Sequence, residues 1–445
     1  MDDLDTFDIC IIGLGYIGLP TGAMFASRGK RVLGVDIDKY VVETVNRGSI
    51  HIEEPGLEQL VQAAVVAGNL TASTSIRQAD AYIIAVPTPI RHNHTADLGA
   101  VRSAANMLAP HLQPGALVIL ESTSPPGTTM DVLRPILEGY GLKAGIDFGL
   151  AYSPERVLPG KIIGELVGNA RVVGGIDWNS AEAVRDLYAT FVEGEIMLTD
   201  ATTAEMVKLM ENTFRDVNIA LANEFALIAE QVGISVWDAI ALANHHPRVN
   251  ILRPGPGVGG HCIAVDPWFL VEAAPLQARL IHQARRINDA MPEHILDLVR
   301  SSVDDGATIA CLGLTFKADV DDVRESPAME IAHRLTEAGY RVRAHDPHVT
   351  AAGDLPVSAL DEAVQDADLA IVLVDHTEFR TLSPALLNEM RGRVILDTRN
   401  CLAATDWRNA GFEVATLGMG QPEPIRSLKS LTYAVTNAQQ TQAAA

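Results

Sequence analysis

Residues 7–18, FDICIIGLGYIG, constrain this chain more than any other stretch of its 445 residues. The apolar run predicts a buried β-strand, Gly13-Leu14-Gly15-Tyr16-Ile17-Gly18 a tight turn, and LPTGAMFASRG the helix that follows. Gly13 permits the turn, Gly15 lets backbone approach a pyrophosphate, and Gly18 lets helix and strand pack closely. The helix N-terminus then offers N–H groups and the positive end of its dipole to phosphates. A second strand, KRVLGVD, ends at Asp36, 23 residues after Gly13. An acid at that spacing accepts from the ribose hydroxyls and repels a 2′-phosphate, which favours NAD over NADP. Strand, glycine turn, helix and acid together predict a dinucleotide-binding unit.

Further strands are expected at 81–89 (AYIIAVPTP) and 116–123 (ALVILEST), with helical segments between them. Such alternation predicts an α/β fold with a doubly wound parallel sheet. Residues 307–400 repeat the pattern weakly. ATIACLGLTFK resembles FDICIIGLGYI, GYRVRAHDP resembles GKRVLGVDI, and ADLAIVLVDH resembles ADAYIIAVPT. Two Rossmann-like halves are therefore expected. In the second, Gly313 is followed by Leu314-Thr315-Phe316-Lys317, a cation in place of close-approach glycines. The first half is read as the dinucleotide site and the second as the site of another phosphate-bearing ligand.

Between the halves, residues 203–233 have helical periodicity and almost no breakers, enough to link two domains or support a dimer. Residues 245–267, HHPRVNILRPGPGVGGHCIAVDP, are dense in proline and glycine and read as a loop. The expected division is 1–200 for NAD, 201–300 for a central helical dimerisation region, and 301–432 for the second Rossmann-like unit. Residues 433–445 read as a frayed tail.

Hydrophobic residues make up 48% of the chain and charged residues 20%, which supports a sizeable core. The net charge of −22 argues against a general nucleic-acid or anionic-membrane partner, though a local cationic pocket for a small anion is compatible with it. Cys10, Cys262, Cys311 and Cys401 lie far apart, so neither a disulfide framework nor a cysteine zinc site is expected, and no metal is assigned. The acidic start MDDLDTF runs into a strand and does not read as a signal peptide. No apolar run approaches the ~18 residues of a membrane span. A cytoplasmic protein is expected.

Three sets of residues could carry chemistry. Cys10 and Cys311 sit in apolar strands, where a cysteine is a small hydrophobe. Cys262 sits in a glycine-rich loop after His261 with Asp266 four residues on, so it reads equally as a structural thiol or a nucleophile. Lys208 and Asn212, at i and i+4, share one helix face. They are either a solvated face or a proton-transfer amine beside an oxyanion donor. Arg156, Arg215, Arg248, Lys317, Arg324 and Arg399 are candidate anion contacts, each on its own as readily a surface cation.

The ordered motifs IGLGYIGLPT, IAVPTP, ESTSPPGT, SPERVLPG, TAEMVKLMENTFRDVN, HPRVNILRPGPGVGGHCIAVDPWF and FKADVDDVRESPAMEIA resemble the UDP-sugar 6-dehydrogenase family over nearly the whole chain. The resemblance implies a four-electron oxidation of a sugar C6 hydroxyl to a carboxylate with two NAD, through a cysteine thiohemiacetal and thioester. It places the nucleophile on Cys262, the acid/base on Lys208, oxyanion stabilisation on Asn212 with Lys208, and water- or lysine-orienting acids on Glu155 and Asp266. Thr123 falls beside the reactive centre. Cofactor contacts fall on Tyr16, Ile17, Thr88, Thr123 and Arg324, besides the glycines and Asp36. Substrate contacts fall on Arg156, Val157, Lys208, Asn212, Arg215, His246, Arg248, Gly259, Lys317 and Arg399. It also implies a homodimer through the central helices, with Arg248 serving the neighbouring site, and a product that enters polysaccharide synthesis. Val265 stands where the UDP-glucose branch typically has lysine, which favours UDP-N-acetyl-D-mannosamine as substrate, with UDP-N-acetylglucosamine or UDP-glucose as alternatives. Two other readings compete. A two-electron hydroxy-acid dehydrogenase leaves the cysteine loop unexplained, and a non-catalytic NAD sensor would have no need to keep Cys262, Lys208 and Asp266.

Overall fold

A computed structural model describes residues 6–420. The tail expected at 433–445, and the end of the second Rossmann-like range beyond 420, lie outside the described residues. The chain divides into two compact units. One contains the residues up to Glu211 together with Trp268–Ala278; the other contains Asn212–Pro267 and the chain from Arg279 onward.

The first unit is built on eight strands: β1 (Phe7–Ile12), β2 (Val32–Val35), β3 (Leu70–Ser73), β4 (Ala79–Ile84), β5 (Leu117–Leu120), β6 (Gly149–Tyr152), β7 (Arg171–Gly175) and β8 (Ile196–Asp200). Their order is β3-β2-β1-β4-β5-β6-β7-β8, parallel except where β6 meets β7. Along β1, Ile9 and Ile11 enter one apolar core while Cys10 and Ile12 enter another. Both faces are covered, which is why the strand is a continuous apolar run and not an alternating one. The strand expected over 81–89 stops at Ile84, because Pro87 and Pro89 supply no ladder N–H.

The second unit carries β9 (Thr308–Leu312), β10 (Arg341–His345), β11 (Leu369–Val372), β12 (Val394–Asp397) and β13 (Glu413–Thr416), all parallel, in the order β10-β9-β11-β12-β13. Ile309 and Cys311 face one core and Ala310 and Leu312 the other, repeating the two-sided burial of β1. Two Rossmann-like sheets are therefore present, as the sequence repeat implies. Cys10 and Cys311 are fully buried strand residues, and burial pushes both thiols up to about 12.

The long helix runs over Ala201–Val232, 32 residues without an internal glycine or proline. Gly233 at φ +78° ends it, with the Ile234 N–H returning to the Ala229 carbonyl at 3.0 Å. Residues 251–265 contain no regular helix or strand, as their proline and glycine content predicts.

Candidate active site

The turn after β1 is shaped for close approach. Gly13 stands at φ +95° and its N–H donates to the Val35 carbonyl at 2.8 Å. A Cβ at Gly18, the first residue of helix α1 (Gly18–Ser27), would collide with the Gly13 carbonyl. Gly15 is exposed, and a Cβ there would have nothing within 4 Å, so its backbone faces open space. Tyr16 and Ile17 complete the turn, both half-buried. Asp36 fixes the mouth: one carboxylate oxygen accepts the Leu14 N–H and the other the Asp38 N–H, each at 2.9 Å. A carboxylate has about four acceptor positions, so two remain for a ribose. Backbone, helix end and acid fit a dinucleotide.

Beside this turn, the loops IAVPTP and ESTSPPGT brace each other. The Val86 N–H donates to Ser122 Oγ at 2.9 Å, and Thr88 Oγ1 donates to the Thr123 carbonyl at 2.6 Å. Sequence reading missed what holds the second loop. Glu205, buried on the long helix, accepts from the Gly127 N–H (2.6 Å), the Thr129 N–H (2.8 Å) and the Thr129 hydroxyl (2.6 Å). Burial pushes this carboxyl up to about 7 against the pull of its three donors.

Glu155 and Arg156 occupy a buried ionic cluster that sequence reading also missed. Glu155 pairs with buried Arg171 and accepts the Arg156 N–H at 2.7 Å. Arg171 also faces Glu121 at 3.4 Å and lies 4.1 Å over the Tyr188 ring. The Tyr188 hydroxyl donates to Glu121, whose carboxyl burial pushes up to about 7. Arg156 reaches Glu211 at 2.6 Å and the Ala170 carbonyl. Val157 packs on the apolar core, and half-buried Lys208 lies one helical turn from Asn212.

In the second unit, the cysteine loop is tied down at several points. His261 Nδ1 lies 2.9 Å from Cys262 Sγ. The Cys262 carbonyl accepts the Asp266 N–H at 2.8 Å, starting the turn that leads into the helix Asp266–Ala273. The Asn212 amide donates to the Asp266 carboxylate at 2.6 Å, and both residues are buried. The sequence-predicted Asn212 and Asp266, 54 residues apart, are thus hydrogen-bonded. Gly259 and Gly260 lie against Phe316; Gly260, at φ +80°, would put a Cβ 2.9 Å from the ring. The loop is anchored further by a buried polar chain. The Gly255 N–H donates to Asn223 (2.9 Å), Asn223 to Asn288 (2.9 Å), and Asn288 to Asp216 (2.8 Å), which pairs with Arg285 at 2.5 Å.

Arg399 packs on Gly255, where a Cβ would strike its guanidinium, and donates to Asp375 at 3.1 Å. Its own carbonyl accepts from Arg253 at 3.1 Å. Lys317 is exposed on the loop after β9, and exposed Arg324 donates to Asp322 at 2.7–3.2 Å. Arg215, His246 and Arg248 are also exposed, and the Arg248 N–H donates to His246 Nδ1 at 3.3 Å.

Comparison with known proteins places these residues in a family context. Models of the UDP-glucose/GDP-mannose dehydrogenase family match in three parts: the NAD binding domain over 7–192, the central domain over 202–290 and the UDP binding domain over 310–404. The chain is 47% identical over 423 residues to a UDP-N-acetyl-D-mannosamine dehydrogenase of Methanocaldococcus jannaschii, covering 93% of this chain and 97% of that one. It is 48% identical over 417 residues to an NDP-N-acetyl-D-galactosaminuronic acid dehydrogenase of Ralstonia nicotianae, covering 90% and 98%. The solved structure of a UDP-D-ManNAc dehydrogenase from Pyrococcus horikoshii superposes with a TM-score of 0.87 at 42% identity, covering 93% and 99%.

Proposed function

The chain belongs to the UDP-glucose/GDP-mannose dehydrogenase family, and from that premise we propose that it oxidises the C6 hydroxyl of UDP-N-acetyl-D-mannosamine to UDP-N-acetyl-D-mannosaminuronate. It is an NAD-dependent oxidoreductase of UDP-sugars. The carrying observation is the cysteine loop, in which Cys262 Sγ lies 2.9 Å from His261 and Asn212 grips Asp266.

In this reading residues 1–200 hold NAD, 201–300 carry the central helix with Lys208 and Cys262, and 301–432 hold the UDP. Bound NAD supplies the hydride acceptor, one molecule for each of two oxidations. Lys208 takes the proton of the C6 hydroxyl as the alcohol becomes an aldehyde. The Cys262 thiolate adds to that carbonyl, and the thiohemiacetal oxygen takes up negative charge stabilised by Lys208 and the Asn212 amide. The second oxidation leaves a thioester on Cys262. Water, oriented by Glu155 or Asp266, releases the carboxylate and returns the thiol. Thr123 lies at the reacting carbon. Arg156, Arg215, His246, Arg248, Lys317 and Arg399 hold the nucleotide sugar, with Val157 and Gly259 lining it, and Arg324 reaches the cofactor. The protein acts in the cytoplasm and feeds polysaccharide synthesis.

Assembly as a homodimer through the long helix is part of the same reading. Met206, Met210, Phe214, Leu221 and Ile228 lie exposed along it, Phe214 at 71%. Apolar surface of this extent on one helix marks an interaction face.

The test is NADH formed per nucleotide sugar consumed, with UDP-N-acetylmannosamine, UDP-N-acetylglucosamine, UDP-glucose and UDP-N-acetylgalactosamine offered separately. Two NADH with the mannosamine sugar alone is the expected result. Two with another sugar overturns the substrate, and one overturns the role of Cys262. Cys262→Ser should lose uronate release; near wild-type release would sink covalent catalysis.

A further inference from the structure

Beyond the carboxyl ends of β9, β10 and β11, three segments of the chain bring together four groups, of which only His376 and Glu378 are close in sequence. They are Asp319, His348, His376 and Glu378, with one donor atom of each within 4.8 Å of all the others. No two of these donor atoms are more than 4.8 Å apart, so small side-chain movements would bring all four onto one ion. His348 Nε2 lies 3.5 Å from Glu378 Oε2 and 3.9 Å from Asp319 Oδ1, and His376 Nδ1 lies 3.9 Å from Asp319 Oδ1. A tetrahedral site with bonds of about 2.0–2.2 Å sets its donor atoms about 3.3–3.6 Å apart. We propose that Asp319, His348, His376 and Glu378 bind a divalent transition-metal ion of the zinc type.

Two further observations support a built site. His376 is fully buried, and its other nitrogen, Nε2, lies 3.1 Å from Asp346 Oδ2 and 3.2 Å from the Thr315 hydroxyl. A carboxylate behind an imidazole fixes the tautomer that leaves Nδ1 as the ligand, the arrangement that orients metal-binding histidines. Asp319 is held at φ +60°, a strained backbone for a residue with a side chain, by the Thr377 N–H (2.8 Å) and hydroxyl (2.9 Å) on its carboxylate. Those two bonds leave acceptor positions free on the carboxylate. The His376 Nδ1 lone pair accepts the Asp319 N–H at 3.0 Å, so binding exchanges that hydrogen bond for a coordinate bond. Asp319, His348 and Glu378 need no such exchange. Two imidazoles with two carboxylates suit zinc-like ions better than magnesium or calcium, which prefer oxygen alone. Asp319 lies two residues beyond Lys317, so the ion would stiffen the loop that presents that lysine.

Titration of the untagged full-length protein with Co2+, followed by visible absorption, tests the site without reference to activity. One equivalent should give the strong d–d bands of tetrahedral nitrogen and oxygen ligation, bleached by competing Zn2+. His348→Ala and Glu378→Gln, both away from the core, should each weaken Co2+ by at least about tenfold, a scale at which even outer-shell partners count. NAD affinity should not change in either variant. Three results would overturn the proposal: no saturable binding, an affinity in both variants equal to that of the parent chain, or a sulfur-to-cobalt charge-transfer band, which would place the ion on a cysteine instead.

Discussion

At the end of β1, Gly13 (φ +95°) turns the chain and Asp36 accepts the Leu14 N–H at 2.9 Å. At the end of β9, Gly313 (φ +93°) does the same and Asp346 accepts the Leu314 N–H at 2.7 Å. Both glycine N–H groups donate to the last residue of the neighbouring strand, Val35 or His345, at 2.8 Å. Each aspartate also caps the residue two further on, Asp38 or His348. After that the halves part. Helix α1 begins five residues beyond Gly13, whereas Pro327–Glu337 begins fourteen beyond Gly313. The first half thus offers a helix end and bare backbone, and the second a loop of side chains, Lys317 among them. On the proposed reading one frame serves two ways of meeting phosphate: peptide dipoles in one half, side-chain cations in the other.

The comparison breaks most sharply at Gly18. Gly18→Val drives a side chain into the Gly13 carbonyl and should weaken NAD on the order of 100-fold, from an overpacking cost of about 1–3 kcal/mol. UDP affinity, measured on the same variant by calorimetry, should stay within twofold. Asp346→Ala tests the shared frame. It removes a buried carboxylate that holds Leu314, His348 and His376, and should destabilise the second half by about 3 kcal/mol in a denaturant melt. Lys317→Ala should raise the KM for the nucleotide sugar about tenfold and leave the KM for NAD alone, the converse of Gly18→Val.

The smallest expected effect is on pH dependence, where Glu205 and Glu121 of the first half carry the opposite sign to Asp346 of the second. Burial raises Glu205 and Glu121 in the first half from an ordinary 4.5 to about 7. The folded state then holds protons that the unfolded chain releases, so their contribution weakens as pH rises from about 4.5 to 7 and levels off above. Asp346 differs. Burial would raise it, but hydrogen bonds from His376, Leu314 and His348 outweigh burial and hold it below 3.8. Its contribution is complete above the ordinary value and is lost as pH falls through the lowered one. Melting curves between pH 4.5 and 7 should show a shallower slope in Glu205→Gln than in the parent chain.

Much of this frame was legible in the sequence. The glycine spacing with Asp36 and the matching GLGY and GLTF turns predict two Rossmann-like sheets, and both are there. Asn212 and Asp266, picked out separately, are hydrogen-bonded. What escaped reading shares one property: its partners are remote in the chain and its residue types are common. Glu205 is one acid among 56 acidic residues, and only the fold brings it to Gly127 and Thr129. Arg171 reads as an ordinary strand cation until Glu121, Glu155 and Tyr188 close around it. The histidine at 376 was visible only as the end of a repeat, because Asp319 and His348, which lie beside it, come from two remote loops.

The polar chain from Arg285 through Asp216, Asn288 and Asn223 to Gly255 carries a consequence for the order of assembly. Gly255 can hand its N–H only to an Asn223 that Asn288 has already oriented, and Asn288 is oriented only once Asp216 and Arg285 have met. The cysteine loop therefore has no partner for this amide until the long helix and the helix Arg279–Ser302 have docked in register, since a slip of one turn would bury Asp216 unpaired. On the proposed reading, the setting of the Cys262 thiol is thus borrowed from helix packing remote from it in sequence and not encoded by its own loop alone.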